Sequence, residues 1–497
     1  MFTQTWRQYW GLEEDPFACE DADKDLILSS IDSSSVHWGF DRIFGNPRVP
    51  APGIIFGEKG SGKSALRLMM SRRVEEFNAA NPEEKVFLIE YIDFNPFTER
   101  FRKSIGARRD TLQAAQDIVE RWKISDHLDC MLSLGVTKLV DEIIASGKKQ
   151  NHLSRKQCIY LLIMTSLYYN SDQRTTAEAI RKLSRLLKYR GHQTKFRILI
   201  NILLSVIFIG VGLLPIVTEL TTTFPALYLY VAGLASLALT WASAFVFRSA
   251  WRAKAARAVR GVKVLPGNAA LLHKLLAGLY PKERKEFLLP TGSDEASRYN
   301  LMHRFIDLLA VFHYKGINVL VDRIDEPSLL SANEGLMKRF IASMMDIKLL
   351  QYPQLGLKLF LPIELEEIYR NASPDDLKRI RLDKSNLIPE LKWSGQELYE
   401  IANQRFQACQ SDESDKHKLF DLFAEGFDFN HLKETLNTLG TPRYAFGFLS
   451  ALFAEYVKEL PNDLSENDAG WKVTRAHFDV VRAAWIDRTG LLRRVLN

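Results

Sequence analysis

Short apolar runs alternate along this chain with long stretches of helical periodicity. Gly53-Ile54-Ile55-Phe56 reads as a buried strand, and Lys85–Asp93, rich in β-branched and aromatic residues, reads as a second. Gly316–Asp322 and Leu355–Ile363 are two further runs of this kind. Between and after them, apolar residues recur at i, i+3 and i+4. This spacing predicts helices over Val36–Phe44, from Ala65 to about Phe77, over Thr111–Lys123, Gly135–Ala145 and Arg155–Asn170, across Leu265–Phe312, and over Glu334–Leu350. From Trp393 onward the pattern is helical, with a break at Gly440-Thr441-Pro442-Arg443 and a last helix capped by Thr474. Strands separated by helices predict an α/β core with a parallel sheet, and residues 98–190 read as a long helical insertion within it.

Two runs depart from both periods. Ile198–Val217 and Phe224–Phe247 contain no charged residue, and each is long enough to cross a hydrocarbon core of about 30 Å as a helix. The link between them, Thr218–Thr223, has no Lys or Arg. The flanks are basic: Arg181, Lys182, Arg185, Lys188, Arg190, Lys195 and Arg197 before, and Arg248, Arg252, Lys254, Arg257, Arg260 and Lys263 after. This asymmetry predicts a two-helix transmembrane hairpin over 196–250 in the cell inner membrane, with both termini cytoplasmic. The flanks suit anionic lipid, and nucleic acid is the less favoured partner. Because a hairpin returns the chain to its starting side, the strands before and after it are free to pair in one sheet.

A chain of 497 residues, 46% hydrophobic and 25% charged, is expected to form two or three units with a sizeable core. The net charge of +6 is too small to argue for a nucleic-acid binder. Cys19, Cys130, Cys158 and Cys409 are too scattered for a zinc site or a disulfide framework, so a reducing setting is expected. The start lacks a basic segment followed by an apolar one, so no cleaved signal peptide is expected.

The candidate chemistry begins at Gly57-Glu58-Lys59-Gly60-Ser61-Gly62-Lys63-Ser64, which fits G-x-x-x-x-G-K-[ST] between a strand and a helix that opens at Ala65. Glycines let backbone N–H groups converge on anionic oxygens, and the helix N-terminus adds partial positive charge. Such a loop binds ATP, with Lys63 reaching the β- and γ-phosphates and Ser64 holding Mg²⁺. The strand ending at Asp322 supplies the complementary carboxylate for the Mg²⁺ shell. Gly440-Thr441-Pro442-Arg443 opens a helix from which Arg443 could reach the γ-phosphate. Tyr9–Phe17 reads as an arm whose aromatics pack on the nucleotide domain.

These features together resemble the KAP family of P-loop ATPases, within the wider AAA+/STAND group. The likeness rests on Gly57–Ser64, on a strand running into Phe94-Asn95-Pro96-Phe97, on membrane helices between the two nucleotide motifs, and on Val319–Glu326. The family usually places a second carboxylate directly after the strand aspartate. Here Arg323 stands there, so Asp325 or Glu326 would orient the attacking water, or turnover would be slow. The resemblance implies an AAA+/STAND-like parallel core, ATP and Mg²⁺, and a homo-oligomer with a trans arginine finger from Arg370, Arg379 or Arg381. It also implies a membrane-bound switch of the kind used in antiphage defence, acting with an effector or partner protein. Tyr9–Phe17 is also similar to the N-terminus of secretion ATPases of the ExeA kind, which would make the chain an engine for envelope assembly or export. A scaffold that binds ATP with little turnover is the third expectation.

The expected organisation is an arm (1–50), the first half of the core (51–100), a helical insertion (101–195), the hairpin with its basic flanks (196–250), a helical segment (251–312), the second half of the core (313–392), and a C-terminal helical lid (393–497).

Overall fold

The computed structural model describes residues 4–18, 21–31, 37–107, 112–189, 226–287, 289–290, 294–326, 333–370, 386–411, 416–461 and 469–496, with a few isolated positions at 202–210 and 375. Two compact units emerge: residues 1–93 with 313–497, and residues 94–312. The split falls at the end of the second strand, slightly before the expected boundary at 100.

In the first unit, α1 (Gln4–Tyr9) and α2 (Gly39–Phe44) precede β1 (Gly53–Gly57), α3 (Lys63–Ala80) and β2 (Lys85–Tyr91). After the second unit the chain returns as β3 (Tyr314–Val321), β4 (Leu355–Pro362) and the two-residue β5 (Leu387–Ile388). All five strands are parallel, in the order β2-β3-β4-β1-β5. Their sequences explain this. β1 and β4 are buried at every position, as strands covered on both faces must be. Leu66, Met70 and Val74 of α3 pack with Ile55, Leu88, Leu320 and Phe360 from the sheet. The α/β expectation holds, and all four expected strands are present. β5 is too short to show a period. Glu334–Leu350 is two helices rather than one, Glu334–Ala342 and Ile347–Leu350, because Asp346 caps a new start by accepting from the Lys348 amide.

The chain leaves β1 toward β2 and leaves β4 toward β5, so neighbouring strands send their connections in opposite directions. A crevice opens at the C-terminal ends of strands at such a reversal, which is where open parallel sheets bind ligands.

Helices Gly395–Ala408, Phe429–Leu439, Pro442–Glu459 and Arg475–Leu496 form the C-terminal part of this unit around Leu398, Leu436, Leu452 and Phe478. The arm aromatics join this cluster, not the sheet: Trp6 lies 5.5 Å from Phe453 and Tyr9 stacks on Trp471 at 4.5 Å. The expected packing of the Tyr9–Phe17 aromatics on the nucleotide domain is therefore corrected for Tyr9, Trp10 and Phe17.

The sheet also buries a charged residue. Lys358, in the middle of β4, is 2% exposed and donates to the carbonyls of Ile43 (2.5 Å) and Phe44 (3.2 Å) at the end of α2. Burial pushes its amine down to about 7 from an ordinary 10.5. Between these values the unfolded chain binds the extra proton, so stability rises with pH. Urea unfolding at pH 7 and pH 9 should show this gain in the wild type, and a smaller one in Lys358→Met. Equal gains would refute the assignment.

The second unit is helical. Its central helix, Ile124–Ser146, is buried along most of its length and packs against Arg155–Tyr168, Gln173–Leu186 and Glu295–Ala310. Among the described residues no helix is long and apolar enough to cross a membrane. The transmembrane hairpin expected over 196–250 therefore has no support among the described helices. The first uncharged run, 198–217, lies largely outside the described residues. Much of the second belongs to the helix Ala226–Gly261, on which Val231, Leu234, Trp241, Phe245 and Val246 are exposed.

Candidate functional site

β1 delivers the glycine-rich loop to the crevice. Gly60 and Gly62 sit at φ +88° and +93°, a left-handed backbone that glycine adopts without strain. At Gly60 a side chain would also collide, since a Cβ there lies 2.8 Å from Cβ of Arg443. α3 starts at Lys63 with Gly62 as its N-cap, and no side chain caps it among the described residues. Its first-turn N–H groups therefore face the crevice as donors.

The Lys63 ammonium donates to the loop's own carbonyls, Gly57 at 2.6 Å and Glu58 at 2.9 Å. Burial pulls its pKa down, Asp322, Asp325 and Glu364 oppose that, and Arg443 adds to it. A poorly hydrated ammonium on two neutral carbonyls is well placed to exchange them for an anion.

β3 and β1 are separated only by β4, about 10 Å at ordinary strand spacing. Asp322, at the end of β3, is 2% exposed. One of its oxygens accepts from Nε of Arg67 (3.2 Å), and the other accepts from the amide of Arg323 (2.9 Å). Arg67 is one helical turn past Lys63 on α3 and is 1% exposed. It also donates to Glu90 (3.0 Å) and to Asp23. Burial works against the Arg67 charge, but Asp23, Asp322 and Glu90 outweigh it and raise its pKa. Arg323 has φ +60°, unusual for a residue with a Cβ. Its guanidinium bonds Asp23 and lies 3.6 Å from Asp21 and 3.5 Å from Glu326. Burial raises the Glu326 carboxyl, against the pull of Arg323.

The C-terminal helices close the crevice. The Arg443 amide donates to Gly60 O at 3.3 Å, and Thr441 caps the helix that Arg443 opens. Trp393 Nε1 donates to Ser61 O at 2.7 Å. The resulting cavity holds about 1040 Å³, enough for a nucleotide. Lys59, Gly60, Gly62, Lys63, Ser64 and Ala65 line it from the loop, as do Asp322, Asp325, Glu326 and Arg443 from the other elements. Ser61 Oγ, Arg323 Nε and Arg443 Nε are buried without a hydrogen-bond partner among the described residues. Buried donors left open at one site fit a polar ligand.

Every residue expected at the site from the two motifs and the lid thus belongs to one region, Gly57, Glu58 and Ser61 through the loop itself. Of the expected arginine fingers, Arg370 is exposed and paired with Glu366 at 2.8 Å, while Arg379 and Arg381 lie outside the described residues. Sequence reasoning missed Arg67, Asp23, Glu364 and Trp393. Arg67 had a signal, being four residues from Lys63 and so on the same helix face. Asp23 had none, since only the fold brings it to α3. No group of three or more metal-ligating side chains occurs among the described residues. Compared with protein-family models, curated proteins and solved structures, the chain matches none of them.

Proposed function

We propose that this chain is an ATPase of the P-loop type, related to the KAP family, anchored to a membrane and acting as a nucleotide-driven assembly switch. The observation that carries the reading is the cavity shared by the glycine-rich loop, Asp322 and Arg443, which come from three distant parts of the sequence.

In this reading the loop amides and Lys63 bind the triphosphate, whose oxygens take the Lys63 ammonium from Gly57 and Glu58. Ser64 and Asp322 would hold Mg²⁺, which would neutralise phosphate charge; the Asp322 carboxylate also accepts from Arg67 and Arg323. Asp325 or Glu326 orients the attacking water, Glu326 being the better candidate because burial raises its basicity. Arg443, fixed against Gly60, reports the terminal phosphate to the C-terminal helices. Catalysis of this kind is mostly positioning and charge neutralisation.

Membrane attachment rests on the uncharged runs 198–217 and 224–247 and on the exposed apolar side chains of the helix Ala226–Gly261. Homo-oligomers and a partner carrying the effector chemistry, as in antiphage defence, complete the proposal.

A second reading has its own observation: Arg323 stands where a second carboxylate is usual, and Arg67 neutralises Asp322. These favour an ATP-binding scaffold with little turnover. Phosphate release by detergent-purified protein decides between them. Turnover lost in Lys63→Ala and reduced at least tenfold in Glu326→Gln supports the enzyme, whereas wild-type release no faster than that of Lys63→Ala removes it.

A further inference from the structure

The acidic segment Asp21–Asp25 borders the cavity through Asp21, Ala22 and Asp25, and three arginines from three elements hold it. Arg67 of α3 and Arg323 after β3 both bond Asp23. Arg405, on the helix Gly395–Ala408, bonds Asp25 and donates to Pro16 O at 2.8 Å. The two ends of the segment are held differently. Asp25 and Arg405 are a buried pair, 6% and 3% exposed at the side chain, whereas Asp23 and Arg323 are each 28% exposed. The Asp25 end is thus an anchor on the C-terminal helices, and the Asp23 end is a contact that solvent can reach.

Arg67 keeps two other carboxylates, Asp322 and Glu90, if Asp23 departs. The Arg323 guanidinium has only the arm carboxylates and Glu326 as described charged partners. It lines the cavity that holds the loop and Lys63, and its Nε has no hydrogen-bond partner among the described residues. An arginine in a left-handed backbone, lining the same cavity as the glycine-rich loop and bonded to a carboxylate, is an anion site with a carboxylate in it. Planar guanidinium forks bind carboxylate and phosphate oxygens by the same geometry.

We propose that Arg323 is a further binding residue for the terminal phosphate of the nucleoside triphosphate, and that Asp23 is a built-in competitor that holds it in the resting chain. This rests on the nucleotide reading above. A triphosphate entering the loop repels the Asp23 carboxylate and offers Arg323 a more highly charged acceptor. Asp23 then releases Arg323, and the segment stays tied to the C-terminal helices through Asp25 and Arg405. The presence of a terminal phosphate is thereby transmitted to the arm. The position that lacks a second carboxylate gains a role as a triphosphate sensor.

The test is binding of MgATP and MgADP to the full chain in detergent, for the wild type, Asp23→Asn, Arg323→Ala and the double variant. Loss of the competitor should tighten MgATP binding about tenfold in Asp23→Asn, the scale of one charge-assisted hydrogen bond, with MgADP little changed. Arg323→Ala should favour MgATP over MgADP much less than the wild type does, and the double variant should match Arg323→Ala. MgATP should also speed amide exchange over residues 21–25 in the wild type. Wild-type binding of MgATP that Asp23→Asn leaves unchanged, with Arg323→Ala keeping the full wild-type preference for MgATP, overturns the sensor and leaves the nucleotide site standing. No nucleotide binding by any of the four overturns both.

Discussion

Asp129→Ala is expected to destabilise the helical unit by about 3–5 kcal/mol, the scale of a buried ion pair that loses one partner. Asp129 and Arg298 are 0% exposed. Arg298 donates to both carboxylate oxygens of Asp129 at 3.2–3.3 Å and to Gly261 O at 2.6 Å. Tyr168 donates its hydroxyl to Asp129 at 2.8 Å. Burial pushes the Asp129 carboxyl up, and Arg298 resists that shift. The cluster therefore joins the central helix to Arg155–Tyr168, to Glu295–Ala310 and to the end of Ala226–Gly261. Removing the carboxylate leaves the buried guanidinium without its hydrogen-bonded counter-charge, with only the more weakly coupled Asp126 carboxylate near it. The double variant Asp129→Leu/Arg298→Met removes both charges and should recover most of the loss. Chemical unfolding of the three proteins measures it. A cost below about 1 kcal/mol for Asp129→Ala would contradict the assignment of this cluster as the unit's polar lock.

Gly60→Val should lower ATP turnover about a hundredfold, the usual consequence of a displacement near 1 Å at a reacting site. Two effects combine. A side chain at φ +88° costs about 1–2 kcal/mol of backbone strain, and the new Cβ falls 2.8 Å from Cβ of Arg443. Since the Arg443 amide also donates to Gly60 O, the helix Pro442–Glu459 has to move away from the loop. Gly106→Val is the control, because Gly106 has φ +72° with nothing within 4 Å of a Cβ. It carries the strain without the collision. Turnover that falls in Gly60→Val and not in Gly106→Val places the effect at the glycine-rich loop and its contact with the helix Pro442–Glu459. Equal turnover in the two would show that this contact does not matter.

Much of this was legible in the sequence because the core strands are buried on both faces and carry short, mostly apolar runs. Gly53–Phe56, Gly316–Val321 and Leu355–Pro362 are too short for typical helices and read as buried strands. The glycine-rich loop was legible because its chemistry demands residue types at fixed spacing, and Arg443 because Thr441 and Pro442 mark a helix start. What stayed hidden depends on tertiary approach. β5 has two residues and no period. The arm's aromatics have no local signal for which core they join. Asp23 reaches Arg67 across 44 positions, and Trp393 reaches Ser61 across 332. Lys358 reads as an error in a strand until the carbonyls at the end of α2 are placed beside it.

The most direct test is calorimetric titration of MgATP into the wild type and Lys63→Ala, each purified as the full chain in detergent. The expected result is saturable, Mg²⁺-dependent binding by the wild type that the alanine variant loses. Identical heats from the two proteins, or binding by neither, would contradict a triphosphate site at the glycine-rich loop.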